Sequence, residues 1–320
     1  MPTAARRSTG GDDPPSPPRT DTRVLTVDSA LSADHRDQVE QVLARAEAAD
    51  GFSALNEAAV LALRQTSAPT LHITALTGER VIGYAQLVPD PRSSTGFLVV
   101  DPEARRQGVG LRLVQALAER APTPLQLLAP TDSAPAQALA DRAGLVPGRT
   151  LLIMKRDLDQ PLPEPVVPAG VTIRTFRPGE DEAAWLAVNA AAFASHPEQG
   201  AVTAADLAAR MAEPWFDPAG FFVAERAGAM VGFHWTKQHP DQLGEVYVLG
   251  VAPEGHRQGI GQALLITGLK HLRRHGNHTV ELYVEAASDA AVALYSSYGF
   301  IPTGRDVMYA QRPIRAPQEG

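Results

Sequence analysis

Two glycine loops of the same build, one in each half of the chain, limit what this sequence can fold into. In the second half, Gly244-Glu245-Val246-Tyr247-Val248-Leu249-Gly250-Val251 is apolar and β-branched without helical spacing, so it reads as a buried strand. It runs through Ala252-Pro253 into Glu254-Gly255-His256-Arg257-Gln258-Gly259-Ile260-Gly261, and Gln262 to Leu269 then takes up the apolar spacing of a helix. Strand, glycine loop and helix together aim backbone N–H groups and the positive end of a helix dipole at one point. A pyrophosphate fits there, and glycines are needed because a Cβ would keep its oxygens from the amides.

A single Gly-x-Gly after a strand is more often a plain turn, so repetition carries the argument. Val99-Val100-Asp101-Pro102-Glu103-Ala104-Arg105-Arg106-Gln107-Gly108-Val109-Gly110 has the same pattern. Pro102 and Pro253, Gly108 and Gly259, and Gly110 and Gly261 are each 151 positions apart. Upstream, Gly83 answers Gly232 at 149, and downstream Gly144 answers Gly299 at 155. Matched landmarks in one order imply one unit used twice. The units span 22–157 and 171–315, each reading as strand, helices, hairpin, central strand, glycine loop, helix, strand, helix and closing strand. In the first unit the closing strand is expected at Leu151–Met154. Residues 158–170 hold four prolines and form an extended linker. Residues 1–21, rich in Pro, Gly and Asp, read as a disordered tail.

Composition narrows the function classes. A net charge of −7 argues against a general nucleic-acid or anionic-membrane binder. With no cysteine there is no disulfide, thiolate catalysis or Cys-ligated zinc. The histidines do not form a metal-ligand set: His271 and His275 are four apart on a helix but lack the accompanying Glu of a metalloprotease. No apolar run is long enough to span a bilayer.

These landmarks resemble the GNAT family of acyl-CoA N-acyltransferases. That family carries an Arg/Gln-x-x-Gly-x-Gly/Ala loop after its fourth strand, then an Asn/Ser-x-x-Ala-x-x-Leu-Tyr helix and a Gly-Phe turn. Here they are the Gly259/Gly261 loop, Ser288-Asp289-Ala290-Ala291-Val292-Ala293-Leu294-Tyr295, and Gly299-Phe300. The resemblance implies an α/β (α+β) fold: two tandem domains, each a mixed, mostly antiparallel twisted sheet flanked by helices, with a splayed central strand. His234-Trp235-Thr236-Lys237, His239-Pro240 and Gly244 to Val251 are similar to a tandem branch of the family. Its members acetylate the cysteinyl amine of a cysteine–glucosamine–inositol conjugate.

The resemblance implies acetyl-CoA as co-substrate, no metal, no nucleic-acid or membrane partner, and a cytoplasmic enzyme. A monomer is expected, because two units in one chain already supply the pairing that single members obtain by dimerising. Amide formation needs a neutral amine, help for the oxyanion and a proton for the departing thiolate. Glu245, at the start of an otherwise apolar strand, is the candidate base, and Tyr295 the candidate acid. Leu249, Gly250 and Val251 would pair with the pantetheine arm, a backbone N–H among them meeting the oxyanion. His256, Arg257, Gln258, Gly259, Ile260, Gly261 and Gln262 would hold the pyrophosphate. Ser288, Asp289, Ala290, Ala291, Val292 and Ala293 would line the coenzyme. His256 stands where the family has Gln or Arg. For the acceptor the resemblance nominates Glu198, Lys237, Glu245, Tyr283 and, from the first unit, Asp50.

The first unit departs from this pattern. Counting back 151 from Glu245 gives Ser94, and 155 from Tyr295 gives Ala140; neither can act as base or acid. Its loop is complete, so it is expected to bind acetyl-CoA through Leu98, Val99, Val100, Arg106, Gln107, Gly108, Val109, Gly110 and Leu111 without catalysing. Other readings are a tandem enzyme acetylating an aminoglycoside or polyamine, and a non-catalytic acyl-CoA sensor.

Overall fold

The computed structural model describes residues 22–27 (backbone only), 30–64, 70–194 and 199–311, so the expected tail at 1–21 and the candidate Glu198 lie outside the described residues. The first half runs β1 (Thr22–Val27), α1 (Ala33–Asp50), α2 (Glu57–Arg64), β2 (Leu71–Thr77), β3 (Arg80–Val88), β4 (Ser94–Val100), α3 (Val109–Arg120), β5 (Leu125–Ala129), α4 (Ala134–Arg142) and β6 (Leu145–Asp157). The second repeats it: β7 (Val171–Thr175), α5 (Glu182–Ala192), α6 (Ala204–Met211), β8 (Phe221–Arg226), β9 (Ala229–Gln238), β10 (Leu243–Val251), α7 (Ile260–Arg274), β11 (Thr279–Glu285), α8 (Asp289–Ser297) and β12 (Ile301–Gln311).

The described strands form one sheet in the order β1-β2-β3-β4-β5-β12-β6-β11-β10-β9-β8-β7. Only β4–β5 and β10–β11 pair in parallel. The order shows an exchange. β6, expected as a short closing strand of the first unit, spans 13 residues and pairs with β11 and β12. In return β12 pairs with β5. Each half therefore completes the other's sheet. The Arg156 guanidinium, buried at this seam, donates to the carbonyls of Tyr298, Gln160 and Pro161.

Strand alternation sends alternate residues to two cores. In the first half, α3 packs Leu113 and Leu117 on Ile73, Ala85 and Leu87, while α1 packs Val39 and Val42 on the opposite face against Tyr84, Phe97 and Val99. In the second, α7 and α8 cover Val246, Val280, Leu282 and Val284. The other face is aromatic: Phe221 stacks on Phe176 and on Trp235 at 4.3 and 4.5 Å, with Trp185 edge-on to both Phe221 and Trp235. No helix among the described residues is long and apolar enough to cross a membrane.

Two buried histidines lie at α7, His234 on β9 and His271 on the helix itself. The fully buried His234 ring shares a 2.9 Å bond between Nδ1 and the Leu264 carbonyl, and a Cβ on Gly268 would run into that ring. His271, also buried, packs against His275 with the rings tilted by 32° and their centroids 4.0 Å apart. Burial lowers both His234 and His271 to about 4. Between pH 4 and 6.5 the unfolded chain then binds more protons than the folded one, so stability falls on acidification through that window. For His234 alone the loss from pH 7 to pH 4.5 is expected to be about 2.5 kcal/mol. Urea melts at the two pH values measure it, and a difference below about 1 kcal/mol would contradict this account.

Candidate active site

The central strand of each half forks away from its parallel neighbour. β10 pairs with β11 only at Leu243–Thr279, Gly244–Val280 and Glu245–Glu281, yet stays paired with β9 as far as Val251. The β11-facing backbone groups beyond Glu245 have no strand partner, and an extended amide-bearing arm can pair with them. A bulge between Val246 and Val248 places Tyr247 as the extra residue and turns the strand further. β4 and β5 fork in the same way after Ser94–Leu125, Thr95–Gln126 and Gly96–Leu127.

Register corrects the alignment of the halves. Glu245 lies level with Lys237 and Glu281, whereas Thr95 lies level with Val88 and Gln126. The structural counterpart of Glu245 is therefore Thr95, not Ser94, because the Tyr247 bulge adds a residue to β10 alone. Thr95 has no proton affinity suited to a base, so the expected difference between the halves stands on a different residue. α4 and α8 begin and end 155 positions apart, which keeps Ala140 opposite Tyr295.

The glycine loops match in detail. Arg106 and Gly108 have φ of 64° and 85°, and Arg257 and Gly259 have 59° and 83°. The left-handed region costs a non-glycine residue about 1 kcal/mol, so its recurrence at both arginines marks a loop shape held for a purpose. Gly108 and Gly259 cap α3 and α7 at their N-termini without any side-chain bond. His256 turns out to brace its own loop: Nε2 donates to the Val251 carbonyl at 2.9 Å. In the first half Arg105 Nε donates to the matching Val100 carbonyl at 3.2 Å. Gln258 and Gln107 likewise donate back to Glu254 and Glu103 carbonyls. The histidine thus replaces a structural donor and leaves the loop amides in place.

On the α5/α6 face of the fork lies a charged group. Glu245 is buried, with Oε2 2.6 Å from His239 Nε2. Lys237, directly across from it, extends instead to Glu57 Oε1 at 2.6 Å, with Nζ 4.4 Å from the Trp215 ring centre and 5.3 Å from that of Tyr247. Glu57 opens α2 of the first half, so both halves wall this site. Glu281, level with Glu245 on β11, pairs with Lys155 at 3.0 Å. Tyr283 follows on the same face, half exposed; partial burial and then the charges of Glu281 and Glu245 push its phenol up.

Tyr295 approaches from the other face. On α8 it packs edge-on to Phe300 at 5.7 Å within the core of Leu282 and Leu294. Burial pushes its phenol up to about 12, so it carries its proton at neutral pH. Glu245 and Tyr295 therefore belong to opposite faces of the sheet, the carboxylate on the α5/α6 side and the phenol in the α7/α8 core. Asp50 is held at 2.8 Å by both terminal nitrogens of Arg105. Sequence reasoning did not single out Glu57, Trp215 or the pairing of His239 with Glu245. Alternation could have suggested the last, since Lys237 and His239 share a face. Nothing in the pattern links Glu57 to a strand so far along the chain. Among the described residues no cluster of His, Asp and Glu could hold a metal ion.

Comparison with known proteins fits this geometry. The acetyltransferase (GNAT) family matches twice, over residues 38–145 and 185–300. A mycothiol acetyltransferase of Thermomonospora curvata is 52% identical over 86% of this chain and 94% of its own length. That of Thermobispora bispora is 50% identical over 84% and 95%. Among solved structures, a GCN5-related N-acetyltransferase from Sphaerobacter thermophilus is 26% identical, covering 93% of this chain and 97% of its own, with a TM-score of 0.63. A tandem GNAT protein from the clavulanic acid pathway shares the fold at a TM-score of 0.68 and 21% identity, covering 91% of this chain and 100% of its own. Two forked sheets with matching glycine loops and two family matches lead to one assignment: the chain belongs to the GNAT acetyltransferase family, as a tandem member that uses acetyl-CoA as co-substrate.

Proposed function

We propose that this chain transfers the acetyl group of acetyl-CoA to the cysteinyl amine of a cysteine–glucosamine–inositol conjugate, the acetylation that yields mycothiol. Its likeness to mycothiol acetyltransferases across nearly the full length of both chains carries this reading. The acceptor site suits a polyhydroxylated amine: Lys237, Glu57, Glu281 and Tyr283 offer donors and acceptors, and the Trp215 and Tyr247 rings offer apolar surface. Glu198 and Asp50 are retained as further acceptor contacts of this reading.

In the proposed reaction acetyl-CoA lies in the β10–β11 fork with its pyrophosphate on the amides of Arg257 to Gly261 and its arm along Leu249 to Val251. Glu245 takes a proton from the ammonium, and the amine attacks the thioester carbonyl. A backbone N–H of the bulged strand receives the oxyanion. On collapse the C–S bond breaks, Tyr295 gives its proton to the thiolate, and the second proton of the attacking nitrogen passes through solvent to the Tyr295 phenoxide, leaving the neutral amide. Most of the acceleration comes from holding the two substrates side by side. The first half acts as scaffold and wall, and its own loop binds acetyl-CoA without turnover. We place the enzyme in the cytoplasm, where its coenzyme is, as a monomer.

The test is to offer the purified protein acetyl-CoA with the des-acetyl conjugate, an aminoglycoside or a polyamine, and to follow release of CoA thiol. The conjugate is expected to be used at least about 100-fold more efficiently, since a site built for its polar groups leaves them unpaired with the others. Preference for another amine would overturn the acceptor assignment. No turnover with any amine, despite acetyl-CoA binding, would favour a sensor.

A further inference from the structure

We propose that His239 is a positioning residue for Glu245, its Nε2–H fixing one carboxylate oxygen so that the other faces the amine. This rests on the reading of Glu245 as base. The β9–β10 hairpin is built to hold the imidazole there. Asp241 and Gln242 both take the left-handed region, at φ of 63° and 60°. They sit in the three-residue loop Pro240–Gln242 that joins His239 to Leu243, at a cost of about 1 kcal/mol each for non-glycine residues. The turn is held by His239 N–H donating to the Leu243 carbonyl at 2.8 Å and His278 N–H donating to that of Gln242 at 3.0 Å. It places His239 on the same face as Lys237, diagonal to Glu245.

Two side chains on β9 could therefore serve Glu245, and the structure divides them. Lys237 is directly opposite but is drawn away to Glu57 and the Trp215 ring. His239 is left to bond Oε2 at 2.6 Å, while Oε1 accepts no bond from the described residues. The division has a chemical reason. A lysine ammonium pressed on the carboxylate would stabilise its anion and weaken it as a base. An imidazole donates an N–H as either the Nε2–H tautomer or the cation, so it orients without a permanent charge. The first half offers a comparison: where Glu245 is replaced by Thr95, the position matching His239 is Asp90, which caps its own loop through Arg92 N–H at 2.8 Å. The acid and its partner are present together in one half and absent together in the other.

Steady-state kinetics of His239→Ala, His239→Gln, Glu245→Gln and the Ala/Gln double variant test the proposal. His239→Ala is expected to lower kcat about 10- to 100-fold with KM for acetyl-CoA unchanged, the cost of a misaimed base. His239→Gln, which keeps an N–H donor, is expected to recover to within about threefold of wild type, and on the Glu245→Gln background His239→Ala should cost less than about twofold. Wild-type kcat in His239→Ala, glutamine no better than alanine, or an undiminished alanine effect without Glu245 would each overturn it. If Glu245→Gln loses turnover while His239→Ala keeps wild-type kcat, only the positioning role falls. If Glu245→Gln keeps full kcat, the base assignment falls and this role with it. His239→Asn, too short to reach Oε2, replaces the alanine variant if that protein does not bind acetyl-CoA.

Discussion

Glu245→Gln is expected to lower kcat about 10²- to 10³-fold at neutral pH while leaving acetyl-CoA affinity within about twofold, because it removes a general base and little else. The amide matches the carboxylate in shape and can still accept from His239 Nε2, so the buried site keeps its packing. Its oxygen has almost no affinity for a proton, so the ammonium form of the substrate would persist at neutral pH. The loss should therefore shrink as pH rises toward about 9, where the amine deprotonates unaided. Tyr295→Phe should cost less, on the order of 10-fold, because the thiolate is a good leaving group and solvent can protonate it. A double variant with full activity would remove both residues from the mechanism. Rates are best followed by thiol release from pH 6 to 9.

Gly259→Asp should abolish measurable turnover, and Gly108→Asp should leave most of it. Both glycines have φ above 80°, where a side chain costs about 1–2 kcal/mol. Both begin a helix at the point where a phosphate would meet backbone amides. An aspartate there adds strain and a negative charge facing the phosphates, together worth a loss of at least about 100-fold in coenzyme affinity. In the second half that loss falls on the fork beside Glu245; in the first it falls on the fork beside Thr95, which has no base. Titrating CoA against each variant, alongside initial rates, separates the two sites. Equal loss of turnover in both would mean that the first half does more than support.

Much of the architecture was legible because repeated glycines and strand–loop–helix order are local patterns. The loops at Gly108 and Gly259 and the candidate pair Glu245 and Tyr295 could all be named without coordinates. The strand exchange could not, since β6 and β12 each read as an ordinary closing strand and pairing partners leave no periodic trace. The Tyr247 bulge was equally hidden: one extra residue in a continuous apolar run does not disturb its composition, yet it moves the counterpart of Glu245 from Ser94 to Thr95.

The acceptor side shows the same division. Lys237 and Tyr283 could be nominated on β9 and β11, but the first-half carboxylate that meets Lys237 is Glu57, while Asp50 is held by Arg105. By itself the chain of residues determined a doubled unit, its two glycine loops and which half carries the candidate carboxylate and phenol, because each depends on residue type and near spacing. Only the tertiary structure decided which charges meet across the fork, that Lys237 goes to Glu57 and His239 to Glu245. Those pairings depend on how one sheet brings together side chains far apart in the chain, and contact at that distance is set by packing and register rather than by any local preference.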